Sequence, residues 1–219
     1  MTRSVKVKRA YNASLRKEQA QLTRERILDA ARRLLVRGTY SSVTMQEIAK
    51  EAGVAYQTVY AVFRTKLGLA HAMVEAGFHF DDIDPPAAGM RSPVDPESGI
   101  RGGAHFARRI HETCADLVRF MRESGDPELL DRYRENEQLR FQQERFLPAF
   151  LRKSGRLRPG LSPESALDII WSMTGSDFYS LLVFERGWTP DQYEAWLAQS
   201  LIELILVPSR AIRKGRAPG

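Results

Sequence analysis

Apolar positions recur at helical spacing along most of the chain. Ile27, Ala30, Ala31, Leu34 and Leu35 fall on one stripe and predict a first helix over residues 22–37, with Thr23 near its N-cap and Gly38 just past its last turn. Met45, Ile48, Ala49 and Ala52 form the buried face of a second helix. It opens at Thr44 with Glu47 three residues on, the spacing of a capping box, in which hydroxyl and carboxylate each satisfy a backbone N–H. Gly53 supplies a turn, Val54 plugs the core there, and a third helix over residues 55–62 turns Val59, Val62 and Phe63 inward. A fourth helix starts at Lys66 and runs to about Phe80, with Leu67, Ala70, Val74 and Phe78 on one side. Residues 81–98 hold four prolines and five acids and read as a long loop. Helical patterns then cover residues 101–123, a stretch from Pro127 with a break near Pro148, residues 163–185 and residues 190–206. No strand-like alternation of any length occurs, so the expected fold is all-α, with about nine helices.

The pair of short helices over residues 44–63 has the form of a helix-turn-helix. The second helix offers Tyr56, Gln57, Thr58 and Tyr60 and carries no acid, which suits a helix that enters a DNA major groove. Charge distribution strengthens that reading. Residues 1–66 hold 14 Lys/Arg against 5 Asp/Glu, whereas residues 67–207 hold 15 against 22. The positive charge therefore accompanies the motif, where a polyanion would bind. Four parts are expected: a basic flexible arm over residues 1–21, a DNA-binding domain over 22–66, a helical domain over 67–207, and a basic tail over 208–219. The arm either touches DNA or is simply disordered; its composition fits both. The single cysteine, Cys114, can form no intramolecular disulfide, and no apolar run reaches membrane-spanning length. The N-terminus lacks the apolar stretch of a signal peptide, so a cytoplasmic protein is expected.

The run TRERILDAARRLLVRGTYSSVTMQEIAKEAGVAYQTVYAVFRTKLGLAHAM resembles the N-terminal domain of the TetR/AcrR family of transcriptional regulators. The shared features are the apolar first helix, Gly38, Thr44, the E-I-A-K-E-A-G-V run, T-V-Y at residues 58–60 and F-x-x-K at residues 63–66. In this family an acidic residue usually follows that Lys; here Leu67 stands in its place. The resemblance implies base-reading roles for Gln46, Tyr56 and Gln57, since Gln pairs bidentately with adenine and a tyrosine ring can meet a thymine methyl. It implies phosphate contacts at Thr44, Thr58, Tyr60 and Lys66. Alternatively, Tyr60 is a core residue, Thr44 a cap only, and Gln46 and Lys66 are solvated. One short reading helix covers few base pairs, so a homodimer on a palindromic operator in double-stranded DNA is expected.

Residues beyond 67 resemble the family in architecture, and the resemblance implies a two-fold helical interface and an effector cavity. Interface candidates are Ile170, Thr174, Gly175, Leu181, Tyr193, Trp196, Leu197, Leu201, Leu204 and Ile205; the same stripe would equally serve an intramolecular core. Pocket candidates are Phe106, Cys114, Phe120, Met121, Phe141, Phe146, Trp171, Phe178 and Tyr179, with Asp177 as a polar contact; each could instead be core. These features describe a repressor released from its operator by a small, largely apolar effector of unknown identity. The alternative is a member without a small ligand, acting as activator or under a protein partner's control. No cofactor or metal is expected. A nucleotide-binding Gly-rich loop, an HExxH motif and a nucleophile elbow are all missing from the sequence, which argues against an enzyme.

Overall fold

The computed structural model of the protein describes residues 3–38, 40–78, 96–145 and 147–207. The expected basic tail over 208–219, most of the 81–98 loop, Phe80 and Phe146 lie outside them. The described residues form ten α-helical segments: α1 (Arg3–Arg37), α2 (Met45–Ala52), α3 (Tyr56–Phe63), α4 (Lys66–Gly77), α5 (Pro96–Glu123), α6 (Pro127–Glu144), α7 (Leu147–Lys153), α8 (Pro163–Met173), α9 (Ser176–Tyr179) and α10 (Pro190–Ile205). A π-helical turn over Ser180–Glu185 follows α9 directly. The fold is all-α, as the apolar periodicity implies; the sole β feature among these residues is an isolated bridge between Leu157 and Leu206.

Several boundaries differ from the sequence reading. Helix α1 begins at Arg3, not residue 22. The basic segment before Leu22 is rich in Ala, Lys, Arg and Gln and has no Gly or Pro to stop a helix. Thr23 is therefore inside a helix, where its hydroxyl donates back to the Gln19 carbonyl at 2.8 Å, and does not cap one. Helix α5 takes in residues 96–98 of the expected loop, and α4 ends at Gly77. The expected helix over 163–185 breaks at Thr174 and Gly175, where Gly175 adopts an extended conformation. Val62 is exposed, because only Val59 and Phe63 of α3 face the core.

Two cores organise the molecule, and α5 is their common spine. In the first, Ile27, Ala30, Ala31 and Leu35 of α1 pack with Ile48 of α2, Val59 and Phe63 of α3 and Leu69, Met73 and Val74 of α4. That core continues into Cys114, Leu117, Phe120 and Met121 of α5 and Leu129 of α6. In the second, Ala104, Ala107 and Ala115 of α5 pack with Leu151, Ala166, Ile170 and Tyr179, and with Tyr193, Leu197, Leu201 and Ile205 of α10. A 28-residue helix extends about 42 Å, enough to span both cores.

This arrangement corrects the interface expectation. Tyr193, Leu197, Leu201 and Ile205, with Ile170, are buried inside a single chain, so that stripe is intramolecular core. An apolar helical face has the same periodicity whichever neighbour covers it. Leu181 and Leu204 remain exposed, at 49% and 43%, as do Phe178 and Phe184.

Two features fasten the N-terminal helices to the spine. Arg32 of α1 donates from Nε and Nη2 to both carboxylate oxygens of Asp116, at 2.8 and 2.7 Å, and from Nη2 to the Thr113 carbonyl at 2.6 Å. The planar guanidinium fork suits this bidentate geometry. At the end of α4, Gly77 lets the backbone approach Leu117 so closely that a Cβ there would overlap Leu117 Cδ1.

Candidate nucleic-acid interface

The second helix of the chain, α2, is fixed at both ends by its own sequence. Thr44 Oγ1 accepts from the Glu47 N–H at 3.2 Å, and the Thr44 N–H donates to Glu47 Oε2 at 2.7 Å. The hydrogen bonds from Thr44 hold the Glu47 carboxyl below the usual range. At the other end Gly53 takes φ +64°, a left-handed conformation that glycine reaches without penalty. The closing carbonyls are then satisfied: Gly53 N–H donates to Lys50, Val54 N–H to Ala49, and Arg26 Nη2 to Ala52 at 2.6 Å.

Helix α3 is therefore presented at a set angle. Val59 and Phe63 anchor it, and Arg24 lies over the Phe63 ring at 4.8 Å. Gln57 is exposed, Tyr56 and Tyr60 are 38% and 49% exposed, and the two tyrosine rings lie 6.3 Å apart. Thr58 is half-buried, and Gln46 is exposed on α2. The core alternative for Tyr60 does not describe this geometry. With no side-chain cap at Ala55 and no acid in the first turn, the N-terminal end of α3 keeps its positive electrostatic character.

Lys66, expected at a phosphate, also makes contacts within the chain. Its Nζ donates to the Tyr40 carbonyl at 2.7 Å and the Val43 carbonyl at 3.0 Å, and sits 4.5 Å above the Tyr40 ring. It ties the start of α4 to the segment preceding α2. Lys66→Ala should therefore lower folding stability by about 1–3 kcal/mol, the range for losing charge-assisted hydrogen bonds and stranding their acceptors. Urea unfolding of the variant measures this; an unchanged midpoint would return Lys66 to the solvent-facing role.

Sequence reasoning passed over Arg64. It is exposed between α3 and α4 at φ +65°, ψ −50°, and the Thr65 N–H donates to the Phe63 carbonyl at 2.7 Å around it. This is a γ-turn, a strained conformation for a residue with a side chain. The signal available in the sequence was an Arg wedged between the core Phe63 and Thr65, which caps α4 by accepting from the Gly68 N–H at 2.9 Å.

The expected effector residues do not share one location. Cys114, Phe120 and Met121 lie in the first core, where burial pushes the Cys114 thiol up to about 12. Tyr179 lies in the second core, edge-on to Tyr193 at 5.0 Å. Phe141 meets Trp171 edge-on at 5.8 Å, and Phe106 is half-buried on α5. Phe178 lies against Trp196 at the surface, and Asp177, 66% exposed, pairs with Arg122. Asp177 is thus corrected from pocket contact to surface ion pair: its side chain faces solvent and meets a guanidinium there. Thr174 and Gly175, expected at an interface, instead border Arg140. An open cleft of about 290 Å³ between α1 and α5, lined by Asp29, Arg32, Arg33, Val36, Arg37 and Asp116, contains none of the expected effector residues.

Residues 27–73 match the family model described as bacterial regulatory proteins, tetR family. The HTH-type transcriptional regulator YvkB of Bacillus subtilis (strain 168) is 44% identical over 52 residues, 24% of this chain and 28% of that protein's length. Among solved structures, NalD of Pseudomonas aeruginosa, described as the secondary repressor of the MexAB-OprM multidrug efflux pump, superposes with a TM-score of 0.60 at 22% identity. That likeness covers 87% of this chain and 99% of NalD. SmeT in complex with triclosan gives a TM-score of 0.61 at 17% identity, covering 86% and 93%. These likenesses to solved structures extend the shared architecture well past the motif, into the helices after α4. The capped α2 and the exposed α3 thus lie within residues 27–73, the stretch that matches the tetR family of bacterial regulatory proteins, and the helices behind them share the fold of the solved structures.

Proposed function

We propose that the protein is a repressor that binds a palindromic operator as a two-fold dimer and leaves it when a small, largely apolar effector enters the helices after α4. The observation carrying this reading is the α3 surface: Tyr56, Gln57 and Tyr60 are held outward on an acid-free helix whose neighbours are rigidly capped. Gln57 and Gln46 read bases, with Tyr56 against a thymine methyl. Thr44, Thr58, Tyr60 and Arg64 approach phosphates, and Arg/Lys outside α3 provide most of the attraction. Phe178, Leu181, Phe184 and Leu204, exposed on one chain, are the apolar side chains available to a partner copy. NalD is named a repressor and SmeT is seen with a small molecule, which supports repression and a ligand by analogy.

Release would follow from the shared core. A ligand that favours one packing of α5 against its neighbours biases the Arg32–Asp116 and Gly77–Leu117 junctions, and with them the spacing of two reading heads. The reading is tested on duplex DNA selected by the full chain. Gln57→Ala should relax base choice at about one position per half-site, costing about 1–3 kcal/mol of discrimination there, while Arg64→Ala weakens all sequences alike and reduces the salt slope by about 1. An unchanged base preference in Gln57→Ala would remove that residue from the reading surface.

A further inference from the structure

Between α5, α6, the α8–α9 junction and α10 lies a cluster of polar side chains that DNA binding does not use. Thr174 is its hub. Its carbonyl lies 2.9 Å from His111 Nε2, and its Oγ1 lies 3.0 Å from Glu144 Oε1. Arg140 Nη1 donates to Thr174 Oγ1 at 3.1 Å and to the Trp171 carbonyl at 2.8 Å, with its guanidinium 5.0 Å from the Trp171 ring. The His111 ring lies 5.3 Å from Tyr179 and 6.2 Å from Tyr193. One connected chain of contacts therefore runs from Tyr193 through His111 and Thr174 to Glu144, Arg140 and Trp171.

That chain ends in open valences. His111 Nδ1, Glu144 Oε2 and the Tyr193 hydroxyl are buried with no hydrogen-bond partner among the described residues. The His111 Nε2 contact is to a carbonyl, so Nε2 carries the proton and Nδ1 presents a lone pair. Each such orphan costs about 1–3 kcal/mol, and several in one connected cluster call for a partner. On the Trp171 side, the indole Nε1 and Arg140 Nε are donors without partners among the described residues.

Charge selects the partner's sign. Arg140 lies between Glu137, at 2.7 Å, and Glu144, at 3.3 Å, so one guanidinium faces two carboxylates. Complete burial pushes His111 down to about 4, so it adds no positive charge near neutrality. Burial raises the pKa of Glu144, and nearby Glu137 adds to the shift, while Arg140 and the Thr174 hydroxyl oppose it. The surroundings are aromatic: Tyr179 and Tyr193 at one end, and Trp171 with Phe141 at the other. Such rings accept a cation on their faces. A π-helical turn, a feature frequent at functional sites, starts right after Tyr179.

We propose that Glu144, His111 and Tyr193, grouped around Thr174, form the recognition site for a protonated organic amine with an aromatic body. The ammonium pairs with Glu144 Oε2 and balances the excess carboxylate; His111 Nδ1 and the Tyr193 hydroxyl are further acceptors along the same cluster, and an acceptor oxygen on the ligand body suits Trp171 Nε1 and Arg140 Nε. An anionic ligand would face Glu137 and Glu144. This inference rests on the ligand-released reading for its biological role but not for its test.

The test measures binding to the full chain without DNA, by tryptophan fluorescence and thermal shift, for three compounds of matched size: 1-naphthylmethylamine, 1-naphthylmethanol and 1-naphthoate. The amine should bind at least about tenfold tighter than the other two, the equivalent of one charge-assisted hydrogen bond. Glu144→Gln should bring the amine to the level of the alcohol, and Tyr193→Phe, which removes one oxygen, should weaken it several-fold. Equal binding of all three, failure of the amine to bind at millimolar concentration, or a preference that survives both substitutions overturns the proposal. DNA release is measured separately. Amine binding without release sinks the repressor-release reading and leaves the site; release by the neutral alcohol alone does the reverse.

Discussion

Gly77→Ala is expected to destabilise the protein by about 1–3 kcal/mol, the cost of forcing a methyl into a packed core. At an ordinary helix position Gly→Ala is stabilising, by roughly 0.5–1 kcal/mol, because alanine loses less entropy. Here the added Cβ would occupy the position of Leu117 Cδ1, and Leu117 is fully buried on α5. Either Leu117 leaves its rotamer or α4 lifts from the spine. Adding Leu117→Ala should then restore part of the loss that Gly77→Ala causes, although Leu117→Ala alone costs about 2–5 kcal/mol. The double-mutant cycle should show a favourable coupling above about 0.5 kcal/mol. Strict additivity in denaturant unfolding would mean that α4 and α5 do not meet in this way. On the proposed ligand-released reading, the single variant should also weaken the dependence of operator binding on effector, because this junction lies between reading head and spine.

Acid should unfold the protein through His111. In the unfolded chain its imidazole titrates near 6.5, and in the folded chain burial pushes it down to about 4. The unfolded state therefore takes up the proton first as pH falls. The contribution is present in full above pH 6.5 and is lost progressively towards pH 4. It amounts to about 3 kcal/mol, because each pH unit between the two titrations is worth about 1.36 kcal/mol. Arg140, nearby, adds to the depression, while the Thr174 carbonyl opposes it. Glu144 acts with the opposite sign: its pKa is raised by burial, so its protonation favours the folded state as pH falls. Urea midpoints from pH 7 to pH 4 should decline less steeply in His111→Gln, which keeps an N–H donor for Thr174, and more steeply in Glu144→Gln. An unaltered decline in His111→Gln would place the acid sensitivity elsewhere.

The reading head was legible in the sequence because its determinants are local. The Thr44–Glu47 box spans four residues, Gly53 marks its own turn, and Ile48, Val59 and Phe63 fall at spacings that only a helix can use on one face. Lys66 was not legible in the same way. Its acceptors, Tyr40 and Val43, lie more than twenty residues away in an irregular segment, and nothing in F-x-x-K tells a phosphate from two carbonyls. Arg32 and Asp116 likewise meet across 84 positions. The stripe of α10 shows a further limit. Amphipathic spacing reveals that Tyr193, Leu197 and Leu201 are covered, but not whether α5 of the same chain or a partner copy covers them. The polar cluster around Thr174 depended on a helix break at Gly175 that an apolar pattern runs straight through.

A two-fold reader that works through α3 is tested most directly by selecting duplex DNA from a random library with the full chain near physiological salt. An inverted repeat with half-sites centred about one or more helical turns apart is expected, and Gln57→Ala should keep that spacing while losing base preference within each half-site. Selection of no sequence, or of an asymmetric one indifferent to Gln57 and Gln46 together, would contradict it.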